Sequence, residues 1–230
     1  MKRFAAVLLL FLAVPGAAWA QLKETRRLDA CREVFAEAMG VKEGIPSDLL
    51  EKAECVAVVP GVKKAALGVG GRFGYGAISC RTDQGRGPWS PPLMVSLKGG
   101  SLGFQIGGQE TDLVLLFMNQ KAIDYLLRNK FTLGADASIA AGPVGRSAAA
   151  ATDAQMRAEI LSYSRSRGLF AGLSLEGAVL KQDEGANERV YGEKIRARDL
   201  LLGKGREVPK AGKGFVEALT EFSPPRRARR

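Results

Sequence analysis

The chain contains no histidine. That alone removes Ser-His-Asp and Cys-His nucleophile systems and most zinc chemistry. Its three cysteines, Cys31, Cys55 and Cys80, stand too far apart to resemble a zinc cluster. In an oxidising compartment they allow one disulfide and one free thiol. Cys55 and Cys80 flank an expected strand pair, which makes them the first choice for the bridge. Asp112, Asp136 and Glu176 fall near the starts or middles of expected strands. If they converged, they would form an acid/base pair for a hydrolase or a hard-cation site. The plainer expectation is that each satisfies local backbone donors or faces solvent. No catalytic residue, metal ligand or cofactor is assigned. The glycine-rich run fails as a nucleotide loop: G-x-G-x-x-G after Gly68 and Gly70 needs glycine at 73, where Phe73 stands, and no G-K-[ST] follows any loop. Lys63-Lys64, with Arg72, forms a local basic group beside Phe73 and Tyr75. Such a group either holds phosphate head groups, as point charges plus a guanidinium fork, or is an ordinary solvated edge.

These residues need a compartment. Met1-Lys2-Arg3 is a basic start, Phe4 to Val14 is unbroken and apolar, and Ala18-Trp19-Ala20 ends the run with small residues at the positions a signal peptidase reads. This layout predicts a cleaved secretory signal at 1–20 and a mature chain from Gln21. The apolar run is short of the roughly 20 residues a bilayer span needs. The expected location is the periplasm or outside the cell, with membrane association as an option. The formal charge is +10, and eight Lys/Arg stand against three Glu from Lys204 to Arg230. The basicity therefore belongs mostly to the end of the chain, and 204–230 is expected to be a flexible tail. Arg226, Arg227, Arg229 and Arg230 within it are candidate contacts for anionic lipid, worth about 1 kcal/mol each near an anionic membrane. Nucleic acid is not an expected partner for an exported chain with a nearly neutral body.

The elements that must position these groups follow from periodicity. Leu28, Cys31, Val34, Phe35 and Ala38 recur at helical spacing, so 22–39 is expected to be a helix. Pro46 suits the start of a second short helix through Leu49, Leu50 and Ala53. The period then changes to two. Val56 to Val59 reads as a short strand ended by Pro60-Gly61. From Ala65 to Ala77 one face is mainly apolar and the other is nearly stripped of side chains. The same alternation returns at 102–107, 133–140 and 169–176. Glycine weakens a strand unless something needs the room, so these faces are expected to admit a close backbone, a helix or a tight barrel curve. Leu113 to Met118 reads as a buried strand, Asn119 as the cap of a helix 120–128, and 193–202 as a last helix. The expected fold is α+β: a strand-rich, mainly antiparallel sheet or barrel-like core with small-residue faces, packed by a few helices.

Taken in order, these motifs resemble the SYLF domain. The resemblance rests on Val58-Val59-Pro60, Lys64-Ala65, Gly70-Gly71-Arg72-Phe73-Gly74-Tyr75-Gly76, the run from Gly103 to Gln109, and Thr111-Asp112-Leu113-Val114. It continues through Leu133 to Ser138, Ala141 to Arg146, Tyr163-Ser164 and Gly168 to Gly177. It covers about 28–192 within a single domain of 21–203. The resemblance implies a non-enzymatic module. Eukaryotic members bind phosphoinositide-containing membranes, partly through a basic amphipathic N-terminal helix, and some bind and bundle actin. In this sequence that helix would be 22–39, with Lys23, Arg26, Arg27 and Arg32 as its basic residues, diluted by Glu24, Asp29, Glu33 and Glu37. The resulting expectation is an exported module on anionic phospholipid, with Lys63, Lys64, Arg72, Lys23, Arg26, Arg27 and the four terminal arginines as lipid contacts. The alternative is an envelope assembly protein that binds a protein partner, and a hydrolase is the remote third reading.

Overall fold

A computed structural model describes residues 16–41, 44–144, 155, 157–166, 169–172, 175–203 and 206–226. Helices α1 (Gly16–Gly40) and α2 (Ser47–Lys52) lead into a long hairpin of β1 (Cys55–Cys80) and β2 (Leu93–Phe117). Next come α3 (Gln120–Leu126), β3 (Lys130–Thr132), β4 (Ile139–Ala141), β5 (Ile160–Ser166), β6 (Leu169–Gly172) and β7 (Val179–Gln182). Helices α4 (Glu184–Tyr191), α5 (Ala197–Leu201) and α6 (Lys213–Phe222) complete the chain. The strands form one seven-stranded sheet in the order β3-β7-β2-β5-β4, with β1 beside β2 and β6 beside β5. Every pairing is antiparallel except β4 with β5. The expected α+β, mainly antiparallel, curled architecture is what the chain adopts.

The sheet is buried on both faces because its central strands are apolar at successive positions. Cys55 to Val59 and Val114 to Phe117 are fully buried without alternation. One face gathers Ala57, Val59, Leu97, Leu115 and Phe117 with Ile123 of α3 and Leu200 of α5. The other gathers Val56, Val58, Met94, Val114 and Leu116 with Leu28, Cys31 and Phe35 of α1 and Phe215 and Leu219 of α6. The apolar stripe read along α1 is thus its packing face.

The short strand and the glycine-rich strand expected as separate elements are one strand that doubles back on itself. An irregularity between Val59 and Val62 bends β1. Its two ends then meet, with the Cα atoms of Cys55 and Cys80 3.9 Å apart and their sulfurs bonded. The bridge favoured from sequence is the one formed. Glycine makes the crossing possible: a Cβ on Gly76 would stand 1.9 Å from the Val58 carbonyl oxygen.

Several boundaries are corrected. Residues 133–140 are not one strand; 133–137 form a turn with Gly134 at φ +84°, closed by the Leu133–Ala137 bridge, and β4 begins only at Ile139. The run 193–202 is helical only from Ala197 to Leu201, and the longer helix precedes it, with Asp183 accepting from the Ala186 N–H as its cap. The expected flexible tail is the largest change. Lys213–Phe222 is a helix with Phe215, Ala218 and Leu219 buried at helical spacing. The domain therefore runs on to at least Arg226. Charge at the very end of the chain drew attention away from that apolar stripe.

Candidate functional site

The basic residues expected to touch lipid divide into free and committed ones. Lys23 and Arg26 are exposed on α1. Arg27 is not available. Its guanidinium donates to the Gly76 carbonyl at 2.7 Å, to the Val95 carbonyl and to Asp183 at 2.8 Å, and its side chain is 10% exposed. It fastens α1 to the hairpin and to the start of α4. Glu24, which seemed to dilute the basic face, is buried and paired with Arg27 and Arg189. Arg226 is likewise committed. It donates to the Glu51 and Ala53 carbonyls and pairs with Glu54 at 2.8 Å. Arg227, Arg229 and Arg230 lie outside the described residues.

Lys63 is exposed, and Lys64 and Arg72 are half-buried. The fold brings them together although eight positions separate Lys64 from Arg72. A Cβ on Gly74 would stand 2.7 Å from Val62 Cγ2, so β1 returns beside the point it left. Arg72 lies opposite Gly99 in β2, and its Cγ would be 3.4 Å from a Cβ there. A glycine at that site gives the arginine stem its room.

Register adds residues that sequence reading missed. Directly paired residues share a face of the sheet. Phe73 pairs with Lys98, Tyr75 with Ser96, Ser96 with Lys181, and Lys181 with Lys130. Phe73 and Tyr75 are each 48% exposed, and Lys98, Lys181 and Lys130 are all exposed. The part of this sheet face left uncovered thus carries two aromatic rings and three lysines drawn from four strands. Lys181 and Lys130 stand directly opposite each other, a like-charge pairing that weakens a sheet. None of the three lysines forms an ion pair among the described residues. The Arg27 guanidinium sits 5.3 Å from the Tyr75 ring centre, so α1 borders this face and Lys23, one helical turn earlier, lies on the same side of the helix. No local sequence signal joins positions 73, 98, 130 and 181; only strand pairing does.

The carboxylates are engaged locally. Asp112 accepts from the Gly61 N–H at 2.9 Å and from Arg165 in a two-pronged pair. Asp136 accepts from the Thr132 N–H within its own turn. Glu176 is exposed in the turn before β7. The local role expected for these carboxylates is the one Asp112 and Asp136 fill. Cys31 is fully buried, and burial, with small opposing effects from Arg27 and the backbone, pushes its thiol up to about 12. It is packing, not a nucleophile.

The family model described as Ysc84, a Las17-binding protein actin regulator, matches residues 98–222. The chain belongs to the Ysc84, or SYLF, family. An SH3 domain-containing protein of Schizosaccharomyces pombe is 40% identical over 171 residues, which is 73% of this chain and 39% of that protein. LAS seventeen-binding protein 3 of Saccharomyces cerevisiae is 33% identical over 85% of this chain and 43% of its own length. SH3 domain-containing YSC84-like protein 1 of Homo sapiens is 33% identical over 78% of this chain and 52% of its own. The chain therefore spans about two fifths to one half of the relatives it matches. The SYLF match runs to the last residue of α6, in agreement with the helix that replaces the expected tail.

Proposed function

We propose that this SYLF domain is an exported, non-enzymatic module that docks peripherally on anionic phospholipid membranes. The observation that carries the reading is the face with Phe73, Tyr75, Lys98, Lys130 and Lys181. Lysines set opposite each other, with no acidic partner among the described residues, suit a surface that supplies the missing negative charge. Exposed aromatic rings beside them suit the boundary between head groups and acyl chains. Lys23 and Arg26 extend the basic area along α1. No helix among the described residues is long and apolar enough to cross a membrane, which is compatible with peripheral attachment. Export rests on the leader-like residues 1–20.

Co-sedimentation of the 21–230 chain with phosphatidylglycerol-containing and with neutral vesicles tests the reading. Binding should need the anionic lipid and weaken with salt, because the Debye length falls from about 10 Å at 0.1 M to about 3 Å at 1 M. Replacing Lys98, Lys130 and Lys181 together by alanine should lower affinity at least about tenfold, given roughly 1 kcal/mol per lysine. Equal, salt-insensitive sedimentation with both vesicle types rejects the mechanism. A protein partner then becomes the better reading, a reading that the name of the yeast Las17-binding relative also favours.

A further inference from the structure

The middle of the β1–β2 hairpin leaves the rest of the sheet. β2 is paired on its second edge only at 95–98, with β7, and at 112–117, with β5. Between those blocks, among the described residues, 99–111 pairs with β1 alone and β1 pairs with no strand but β2. The excursion is closed at its base, where a Cβ on Gly74 would meet Val59 and Val62. It also bends. Ala66 pairs with Gly107 but Gly68 with Gly103, so three residues of β2 oppose one of β1 at the bend. About five residues on the way out and five on the way back, at roughly 3.3 Å each, allow a reach of no more than about 16 Å.

The composition changes with the topology. Residues 65–71 and 99–109 contain no charged residue, and Leu67, Val69, Leu102, Phe104 and Ile106 stand among the glycines. Charge begins at the base of the excursion, with Lys63 and Lys64 on one side and Arg72 and Lys98 on the other. The acids there are Glu110, paired with Lys63 in the register, and Asp112, which accepts from the Gly61 N–H and from Arg165. A ribbon that lies beyond the described pairings of β2 with β5 and β7 and carries no charge invites aggregation in water. Any backbone group left unpaired at its edges would bar it from the hydrocarbon core, where each costs several kcal/mol. The boundary layer, some 5–10 Å deep, satisfies both conditions.

We propose that this glycine-rich bend enters the interface of an anionic bilayer, with Lys63, Lys64, Arg72 and Lys98 on the phosphates around its base. The inference rests on the membrane reading above and names the part of the domain that penetrates. Gln105→Cys, labelled with an environment-sensitive fluorophore, tests it. The labelling is specific because Cys55 and Cys80 are bonded and Cys31 is fully buried. With phosphatidylglycerol vesicles the emission at 105 should shift to the blue and be quenched by lipids carrying a quencher near the top of the acyl chain. A label on Glu221→Cys in α6 should not respond. Leu67→Asp with Phe104→Asp should weaken vesicle binding about tenfold or more while leaving the melting temperature unchanged. Sedimentation with vesicles while the label at 105 stays in water overturns the insertion and leaves the membrane reading standing. Absence of any sedimentation overturns the membrane reading itself, and the insertion with it.

Discussion

Gly76→Ala is the sharpest test of the doubled-back hairpin. A methyl group there would lie 1.9 Å from the Val58 carbonyl oxygen and 2.8 Å from both Val58 C and Val59 Cα. All three are backbone atoms in a fully buried stretch that the Cys55–Cys80 bridge ties down. Nothing there can rotate away, so one strand must move by more than an ångström. Movement also strains the Arg27 bond to the Gly76 carbonyl. Ordinary overpacking costs about 1–3 kcal/mol. A backbone collision belongs at or above the top of that range, so we expect about 3 kcal/mol. For a domain of this size that is a fall in melting temperature of roughly 6–12 °C. Gly74→Ala meets side-chain atoms, Val62 Cγ2 at 2.7 Å and Val59 Cγ1 at 2.8 Å, which can yield in part. It should cost about 1–2 kcal/mol. Among the described residues Gly71→Ala meets only the Gly99 oxygen, at 3.9 Å, and should change stability by a few tenths of a kcal/mol. Circular dichroism melts of the three variants read the series. A Gly76→Ala protein melting within about 2 °C of the parent would refute the crossing.

Arg27→Ala should lower urea stability by about 3 kcal/mol, because it leaves Asp183 and two buried carbonyls without their donor; an unchanged midpoint would instead mark Arg27 as a surface residue free for lipid. Reduction of the Cys55–Cys80 bridge, which spans a sequence separation of 25, should cost about 3–4 kcal/mol on the chain-entropy argument, read as a lower denaturation midpoint in dithiothreitol. Burial raises the Asp183 carboxyl, but the Arg27 hydrogen bond, the Ala186 N–H and the charges of Arg27 and Arg189 outweigh that and hold it below the usual range. Its stabilisation is therefore complete above the unfolded value near 4 and lost as pH falls through the folded value. Urea midpoints measured between about pH 6 and 3 should fall at the acid end, and less steeply in Asp183→Asn.

Helix faces and buried strands were legible because each depends on its own neighbours in sequence. The α1 stripe from Leu28 to Ala38 and the Asn119 cap, which accepts from the Ala122 N–H, are examples. Small-residue faces were legible as a demand for room, and Gly74 and Gly76 show what needs it. The groups joined only by register were not legible. Lys98, Lys130 and Lys181 meet because β7 returns between β2 and β3, a long-range fact that no window of residues contains. The role of Arg27 was hidden for a related reason. Its partners at positions 76, 95 and 183 become neighbours only after the hairpin folds back and α4 docks.

One contact of the segment after α6 completes a site whose other residues lie far earlier in the chain. Arg81 is buried against the Trp89 ring, and its guanidinium donates to the Ser223 carbonyl, the Ser223 hydroxyl and the Pro224 carbonyl. Trp89 Nε1 donates to the same Ser223 carbonyl. Phe222 packs edge-on against Phe35 of α1, at a ring separation of 5.9 Å. During synthesis these partners arrive roughly 130 residues after Trp89, and until then a buried cation, an indole and the face of α1 lack what completes them. An unsatisfied buried charge costs several kcal/mol, a sizeable part of the 5–15 kcal/mol that holds a domain together. A chain cut before Ser223 is therefore expected to be markedly less stable than the full one.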